Sequence, residues 1–398
     1  MHVLRDIKEI LRGNVLILFI TWVLLSFGGN MVHRFDGIYF SALGASDELL
    51  GYMGALTFGM MALLQLPGGY FADVLGRKRL IVTFTFVMAF SMLIFAFAPS
   101  WEYIVVGLII SNASLLYQPA LFSIIMDSLP KHRRAEGFAV INLSSLPALI
   151  APVVGGYIIF TLGVVSGMRI GYLILFFLSL TAAFMRMFLK ETVSKNNGER
   201  SFLSIASILK NLNFRAKWII IIGSLISSAG GMVGYFIIKY SYNYTNAFNF
   251  GLAMGISMLI SIVSGVYIGR YGDRKGKEKL YVAGMLLSSL GIIIFIVPSL
   301  AYLFLYAVIS GLGMAFYQPM NQGLIADLVG LESRGRFTGV FLFISYISAM
   351  LFSGISGYIY SFSPAILFLF SGILYLIAAL IALKIFVLNI PLHKEVAI

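Results

Sequence analysis

Gly69-Tyr70-Phe71-Ala72-Asp73-Val74-Leu75-Gly76-Arg77-Lys78 returns two hundred residues later as Gly269-Arg270-Tyr271-Gly272-Asp273-Arg274-Lys275-Gly276-Lys277. The same offset, without a gap, carries Tyr117-Gln118-Pro119 onto Tyr317-Gln318-Pro319, Asp127 onto Asp327 and Arg134 onto Arg334. Isolated identities at a fixed spacing arise by chance. A charged loop and a polar tripeptide in one register point instead to a chain built as two related halves.

Composition says what surrounds those halves. Of 398 residues, 60% are hydrophobic and only 11% charged, with a mean hydropathy of +0.96. A water-soluble surface needs far more charge than that. Apolar runs long enough to cross a bilayer recur throughout. The reading is an all-α membrane protein of twelve transmembrane helices, arranged as two parallel six-helix repeats. The first six are expected near 14–40, 48–74, 80–98, 102–127, 135–160 and 168–189. The second six are expected near 217–242, 248–271, 280–297, 302–327, 336–360 and 364–388. Two bundles, 1–190 and 217–398, are thus joined by the polar linker 191–216. Within that linker Phe202, Ile205, Ile208, Leu209 and Leu212 have the spacing of a short amphipathic helix lying on the membrane.

A net charge of +12 raises nucleic-acid binding only to exclude it, because the basic residues fall in short clusters between apolar runs. With the amino terminus cytoplasmic, all but four of the 28 lysines and arginines lie in cytoplasmic segments, the exceptions being Arg34, Arg169, Arg186 and Lys239. Both termini are therefore expected in the cytoplasm. The chain has no cysteine, so disulfides, thiolate metal sites and cysteine catalysis are excluded. The four histidines form no metal-spaced pair and no nucleophile motif appears, so neither an enzyme nor a cofactor or metal site is expected.

With its two loops placed after the second helix of each half, the chain resembles the major facilitator superfamily of secondary transporters over nearly its whole length. Gly69-x-x-x-Asp73-x-x-Gly76-Arg77-Lys78 matches that family's signature loop, with Val74 where a basic residue is usual. Gly269-x-x-x-Asp273-Arg274-x-Gly276-Lys277 matches it without that departure. The resemblance implies that these residues, together with Asp127, Arg134, Asp327 and Arg334, form a cytoplasmic latch holding one state of a transport cycle; plain anchoring of topology is the competing account. Pro147-Ala-Leu-Ile-Ala-Pro152-Val-Val-Gly155-Gly156 is similar to the helix-packing motif of exporting members, with Ala151 replacing the usual glycine.

Candidate pathway residues follow from depth. Tyr117 and Gln118 precede Asp127 by nine to ten residues, roughly 15 Å along a helix and so near the bilayer midplane. Tyr317 and Gln318 repeat that placement. Each following proline frees a carbonyl one turn back, which marks either a binding site between repeats or a packing kink. Asn112, Asn142 and Asn321 are amides in apolar helices, and Tyr235 and Tyr346 either line a cavity or pack. In Asn30-Met-Val-His33-Arg34-Phe-Asp36 the position of the charges turns on where the first helix ends. The expectation is continuation to Phe40, which places Arg34 on the outer cavity with Asn30 a turn below; a stop near Val32 leaves Arg34 and Asp36 at the outer surface. Lys239 lies at comparable depth, and Arg34 with Lys239 suits an anionic or polar solute. Asp36 is the one plausible proton carrier away from the cytoplasmic loops. The expected function is export of a small organic solute by a monomer in the cell membrane, with proton coupling implied by the family resemblance rather than by these residues, and with uptake of a sugar or organic anion as the alternative.

Overall fold

The computed structural model describes residues 10–65, 76–129, 133–192, 210, 212–330 and 334–388, and of Gln65, Arg134, Ala135, Glu136 and Ala139 the backbone alone. Every regular element among them is helical. That outcome is forced in lipid, where each backbone N–H and C=O must find its partner inside its own segment. Ten helices among the described residues are long and apolar enough to cross a membrane. Large apolar side chains such as Phe188, Tyr267 and Phe362 face outward, as they do where the solvent is hydrocarbon.

The chain partitions into two compact units. Unit 1 comprises Met1–Ala45, Leu63–Glu199 and Asn246–Leu252; unit 2 comprises Ser46–Ala62, Arg200–Thr245 and Ala253–Ile398. Unit 1 holds α1 (Gly13–Val32), α2 (Asp36–Ala42), the end of α3 (Asp47–Gln65), α4 (Arg77–Phe97), α5 (Trp101–Ser114), α6 (Gln118–Ser128), α7 (Arg134–Asn142), α8 (Ala151–Leu162) and α9 (Val164–Arg186). Its core joins Val15 and Leu18 of α1 to Leu80 and Ile81 of α4 and to Leu121 and Ile124 of α6. Unit 2 holds most of α3, α10 (Phe214–Val233), α11 (Phe236–Ser241), most of α12 (Ala247–Lys275), α13 (Glu278–Ile294), α14 (Leu300–Leu328), α15 (Arg334–Phe362) and α16 (Pro364–Ala382). Ile219 and Ile222 of α10, Met285 of α13, Leu324 of α14 and Phe337 of α15 make its core.

Several expected spans are broken. The first does not run to Phe40: α1 ends at Val32, the Phe35 N–H closes a turn on the Val32 carbonyl at 2.8 Å, and α2 begins at Asp36. Across the turn His33 and Arg34 stand exposed while the next two residues, Phe35 and Asp36, are buried. The fourth span tightens to a 3-10 turn over Leu115–Tyr117 just ahead of Pro119, as the loss of a proline N–H predicts. The fifth does the same over Leu143–Leu149, around Pro147. In the second repeat the corresponding α14 is continuous across Pro319, so the two repeats have diverged at this position. The seventh span pauses between Val233 and Phe236. Gly69, Asp73 and most of the linker 191–216 lie outside the described residues, as does the Arg134 side chain.

Candidate functional site

A cavity of about 400 Å³ opens inside unit 1 among α1, α4, α6, α9 and the two 3-10 turns. Trp22, Leu25, Met88, Met92, Leu115 and Leu175 give it an apolar wall. Polar groups are supplied by Ser26, Gln118, Asn142, Ser144, Ser145 and Ser179, with Tyr117 and His33 among the lining residues as well. Among the described lining residues there is no carboxylate. Apolar surface with a few hydroxyls and amides is what a small organic molecule needs: contact area for its body and groups to orient it. The breaks in the fourth and fifth spans place part of this lining, since Leu115, Tyr117, Ser144 and Ser145 all sit in the tightened turns.

Behind His33 lies a buried carboxylate. Asp36 accepts a hydrogen bond from the Tyr172 hydroxyl at 2.5 Å, and His33 Nδ1 stands 3.0 Å from its other oxygen. The His33 side chain is 49% exposed and that of Asp36 only 7%, so the histidine stands between the cavity and the acid. Sequence spacing put His33 and Asp36 a turn apart; it gave no sign of Tyr172, which approaches from α9.

The other pathway candidates divide between the units. In unit 1, Tyr117, Gln118 and Asn142 meet in the cavity. Asn30 and Asn112 do not line it; each donates to a carbonyl of its own helix, Ser26 at 2.9 Å and Leu108 at 2.8 Å. In unit 2, Tyr317 stacks on Tyr281, whose hydroxyl reaches the Asn321 amide oxygen at 3.3 Å, while Gln318 is exposed. Tyr346 stacks on Phe58, and Tyr235 is half-buried at the start of α11. Lys239 is not an isolated cation: it pairs with Asp47 at 2.5 Å, within unit 2, and its ammonium lies 5.9 Å from the Tyr360 ring.

The loops reproduce the repeat in three dimensions. Gly76 and Gly276 both adopt the left-handed backbone, with φ of 85° and 99°, which a side chain would strain. The next residue pairs with the aspartate closing the fourth helix of its half: Arg77 with Asp127, and Lys277 with Asp327 at 2.7 Å. Lys277 also lies 3.9 Å from Asp273. The Lys78 N–H donates to Glu191 at 2.9 Å, and Arg334 caps the end of α14 through the Ala326 and Val329 carbonyls. Arg274 is exposed, and a Cβ on Gly269 would just touch Pro319.

A model of the Major Facilitator Superfamily matches residues 10–277 and again 234–397. The chain belongs to the Major Facilitator Superfamily. Its relatives and fold neighbours are transporters rather than enzymes, and it is a multi-pass membrane protein consistent with the cell membrane. An uncharacterized MFS-type transporter of Methanocaldococcus jannaschii is 28% identical over 247 residues, 59% of this chain and 61% of that protein. A Na(+), Li(+), K(+)/H(+) antiporter of Planococcus maritimus is 33% identical over 138 residues, 33% of this chain and 32% of the antiporter. These matches span less than two thirds of either relative. The solved nucleoside transporter NupG shares the fold at a TM-score of 0.74 and 15% identity, over 94% of this chain and 99% of that one. In this superfamily member the proline–glycine segment is closely packed. Pro152, Gly155 and Gly156 are buried, and a Cβ on Gly156 would lie 3.0 Å from the Ala247 carbonyl carbon and 3.1 Å from Phe248 Cα.

Proposed function

We propose that the chain is a secondary active transporter exporting a small organic solute from the cell in exchange for protons. Its working unit is a monomer of twelve spans with both termini cytoplasmic, and two bundles, 1–190 and 217–398, rock about the solute. The observation that carries the reading is the apolar, hydroxyl-lined cavity set against a buried carboxylate. Deprotonated, Asp36 accepts from Tyr172 and His33; protonated, it loses acceptor capacity, and the ties from α2 to α9 and to His33 loosen. A proton on this cluster and a solute beside His33 thus act on one element, the link that exchange requires. The two Gly-Arg/Lys loops and their aspartates act as the cytoplasmic latch.

The test is flux: purified protein in vesicles, an imposed proton gradient, and a panel of labelled organic solutes. Accumulation of one of them on the acidic side, abolished by Asp36→Asn while solute–solute exchange continues, supports the assignment. Gradient-driven accumulation unaltered in Asp36→Asn refutes it.

The Planococcus maritimus relative favours a second reading, exchange of monovalent cations for protons. Proton release from the same vesicles on adding Na⁺, Li⁺ or K⁺ without organic solute identifies that activity.

A further inference from the structure

Arg186 ends α9, the sixth span of the first half, where an arginine ordinarily snorkels outward to the membrane surface. Here the side chain runs inward and is fully buried. Its Nε and Nη1 donate to Thr21 Oγ1 at 3.3 Å and Thr85 Oγ1 at 2.7 Å. Both threonines sit eight residues into their helices, about 12 Å from the ends at 1.5 Å per residue. Neither is an anion, and each hydroxyl spends its own proton on a carbonyl of its helix, Leu18 or Ile81. Nη2 has no partner, and no carboxylate among the described residues pairs with the guanidinium. Arginine carries its charge at any physiological pH, so this is a buried cation that no described carboxylate neutralises. Helix packing alone gives no reason to retain it, since an apolar side chain would fill the same space without the burial penalty.

What lies above Arg186 gives the reason. Its Cζ stands 5.2 Å from the centroid of the Tyr117 ring, and that ring lines the cavity, where the Tyr117 hydroxyl contacts Met88. Trp22, next to Thr21, and Leu25 and Met88, one turn past Thr21 and Thr85, also line the cavity. Arg186 is therefore a fixed positive charge beneath one side of a cavity whose described lining carries no carboxylate. We infer that the unit 1 cavity is selective for organic anions, a carboxylate or comparable acid group seated at the Tyr117–Gln118 end with Arg186 as its counter-charge across the ring. This rests on the reading of the cavity as the solute site and names its substrate class. The same charge repels a monovalent metal cation.

An acid group against the cavity side of the ring lies about 9 Å from the guanidinium. At an effective dielectric of about 20, that separation favours the anion over its neutral isostere roughly twentyfold. The experiment uses full-length protein in detergent and two matched pairs, benzoate against benzamide and 2-naphthoate against 2-naphthamide, read by calorimetry and by thermal shift. Wild type is expected to prefer the acid by about tenfold or more in at least one pair. Arg186→Gln is expected to lose that preference while keeping its affinity for the amide, and Arg186→Lys to retain most of it. Equal binding within each pair, binding of neither acid, or a preference that survives Arg186→Gln overturns the inference. Should Arg186→Gln not fold, loss of the preference in Arg186→Lys overturns it instead. Binding is measured without flux, so a missing preference leaves transport standing. Absence of gradient-driven flux with an intact preference overturns the transport reading alone.

Discussion

Asp47→Asn tests how unit 2 holds its closed contact. Asp47 opens α3 and pairs with Lys239 of α11 at 2.5 Å, with each side chain 24% exposed. One turn on, Gly51 lies so close to α15 that an added Cβ would stand 2.9 Å from the Ser353 carbonyl oxygen, and the Ser353 hydroxyl donates to the Gly51 carbonyl at 3.2 Å. Tyr52 and Tyr358 join hydroxyls at 2.6 Å beside it. Two unit charges in contact at an effective dielectric of about 20 attract by several kcal/mol, but desolvation and the ordering of two side chains remove most of that. A net contribution of about 1–2 kcal/mol remains for a pair this sheltered. If the pair forms only while α3 lies against α15, its loss shifts the open fraction about 5- to 30-fold. The chain has no cysteine, so a single Ser353→Cys reports opening without background. Ser353 is 1% exposed and reacts with a maleimide only when the contact opens. Labelling should accelerate about 5- to 30-fold in Asp47→Asn and return to the slow rate when the charges are exchanged, Asp47→Lys with Lys239→Asp. Glu48→Gln, which leaves the pair intact, should not change it. An unaltered rate in Asp47→Asn, or fast labelling already in the parent, refutes the reasoning.

Gly156→Ala places a methyl group against the backbone of 247–248, which cannot yield as a side chain would; a loss of about 1–3 kcal/mol and a fall in Tm of about 2–12 °C should follow. Gly339→Ala, with nothing within 4 Å of its Cβ, is the control and should leave Tm unchanged or raise it slightly. Arg77→Gln and Lys277→Gln, each breaking one latch pair, should slow turnover in vesicles with little change in solute affinity; altered affinity at constant turnover would place these residues in the solute path instead. Tyr172→Phe removes a hydrogen bond to a buried carboxylate, worth about 1.5–3 kcal/mol, so gradient-driven transport should slow while solute–solute exchange is little changed. Gradient-driven rates equal to wild type would take Tyr172 out of the coupling.

The sequence made the repeats legible because duplication preserves spacing, and the spacing survives as geometry. Gly76 and Gly276 turn alike, and residues 77 and 277 pair with aspartates exactly fifty positions on in each half. What it could not show were contacts between residues that share no register. Asp47 and Lys239 are 192 positions apart, Tyr172 and Asp36 136, and Arg186 and Thr21 165. Arg186 stood out in the sequence only as one of four basic residues outside the cytoplasmic segments; its inward course is what separates it from one that snorkels. The polar stretch after Val32 left two courses open, a stop there or continuation to Phe40, and the burial of Phe35 and Asp36 that accompanies the stop could not be read from it. The two Tyr-Gln-Pro elements read as identical, yet α14 absorbs Pro319 where the first repeat tightens into a 3-10 turn.

Access to the cavity from alternate sides tests the central claim most directly. Ser145 lines the cavity and is exposed, so Ser145→Cys can be labelled by a membrane-impermeant thiol reagent applied to right-side-out or inside-out vesicles. The account predicts reaction from both faces, with any condition that raises outer-face labelling lowering inner-face labelling. Reaction from one face alone under every condition, or rates from both faces rising together, would contradict it.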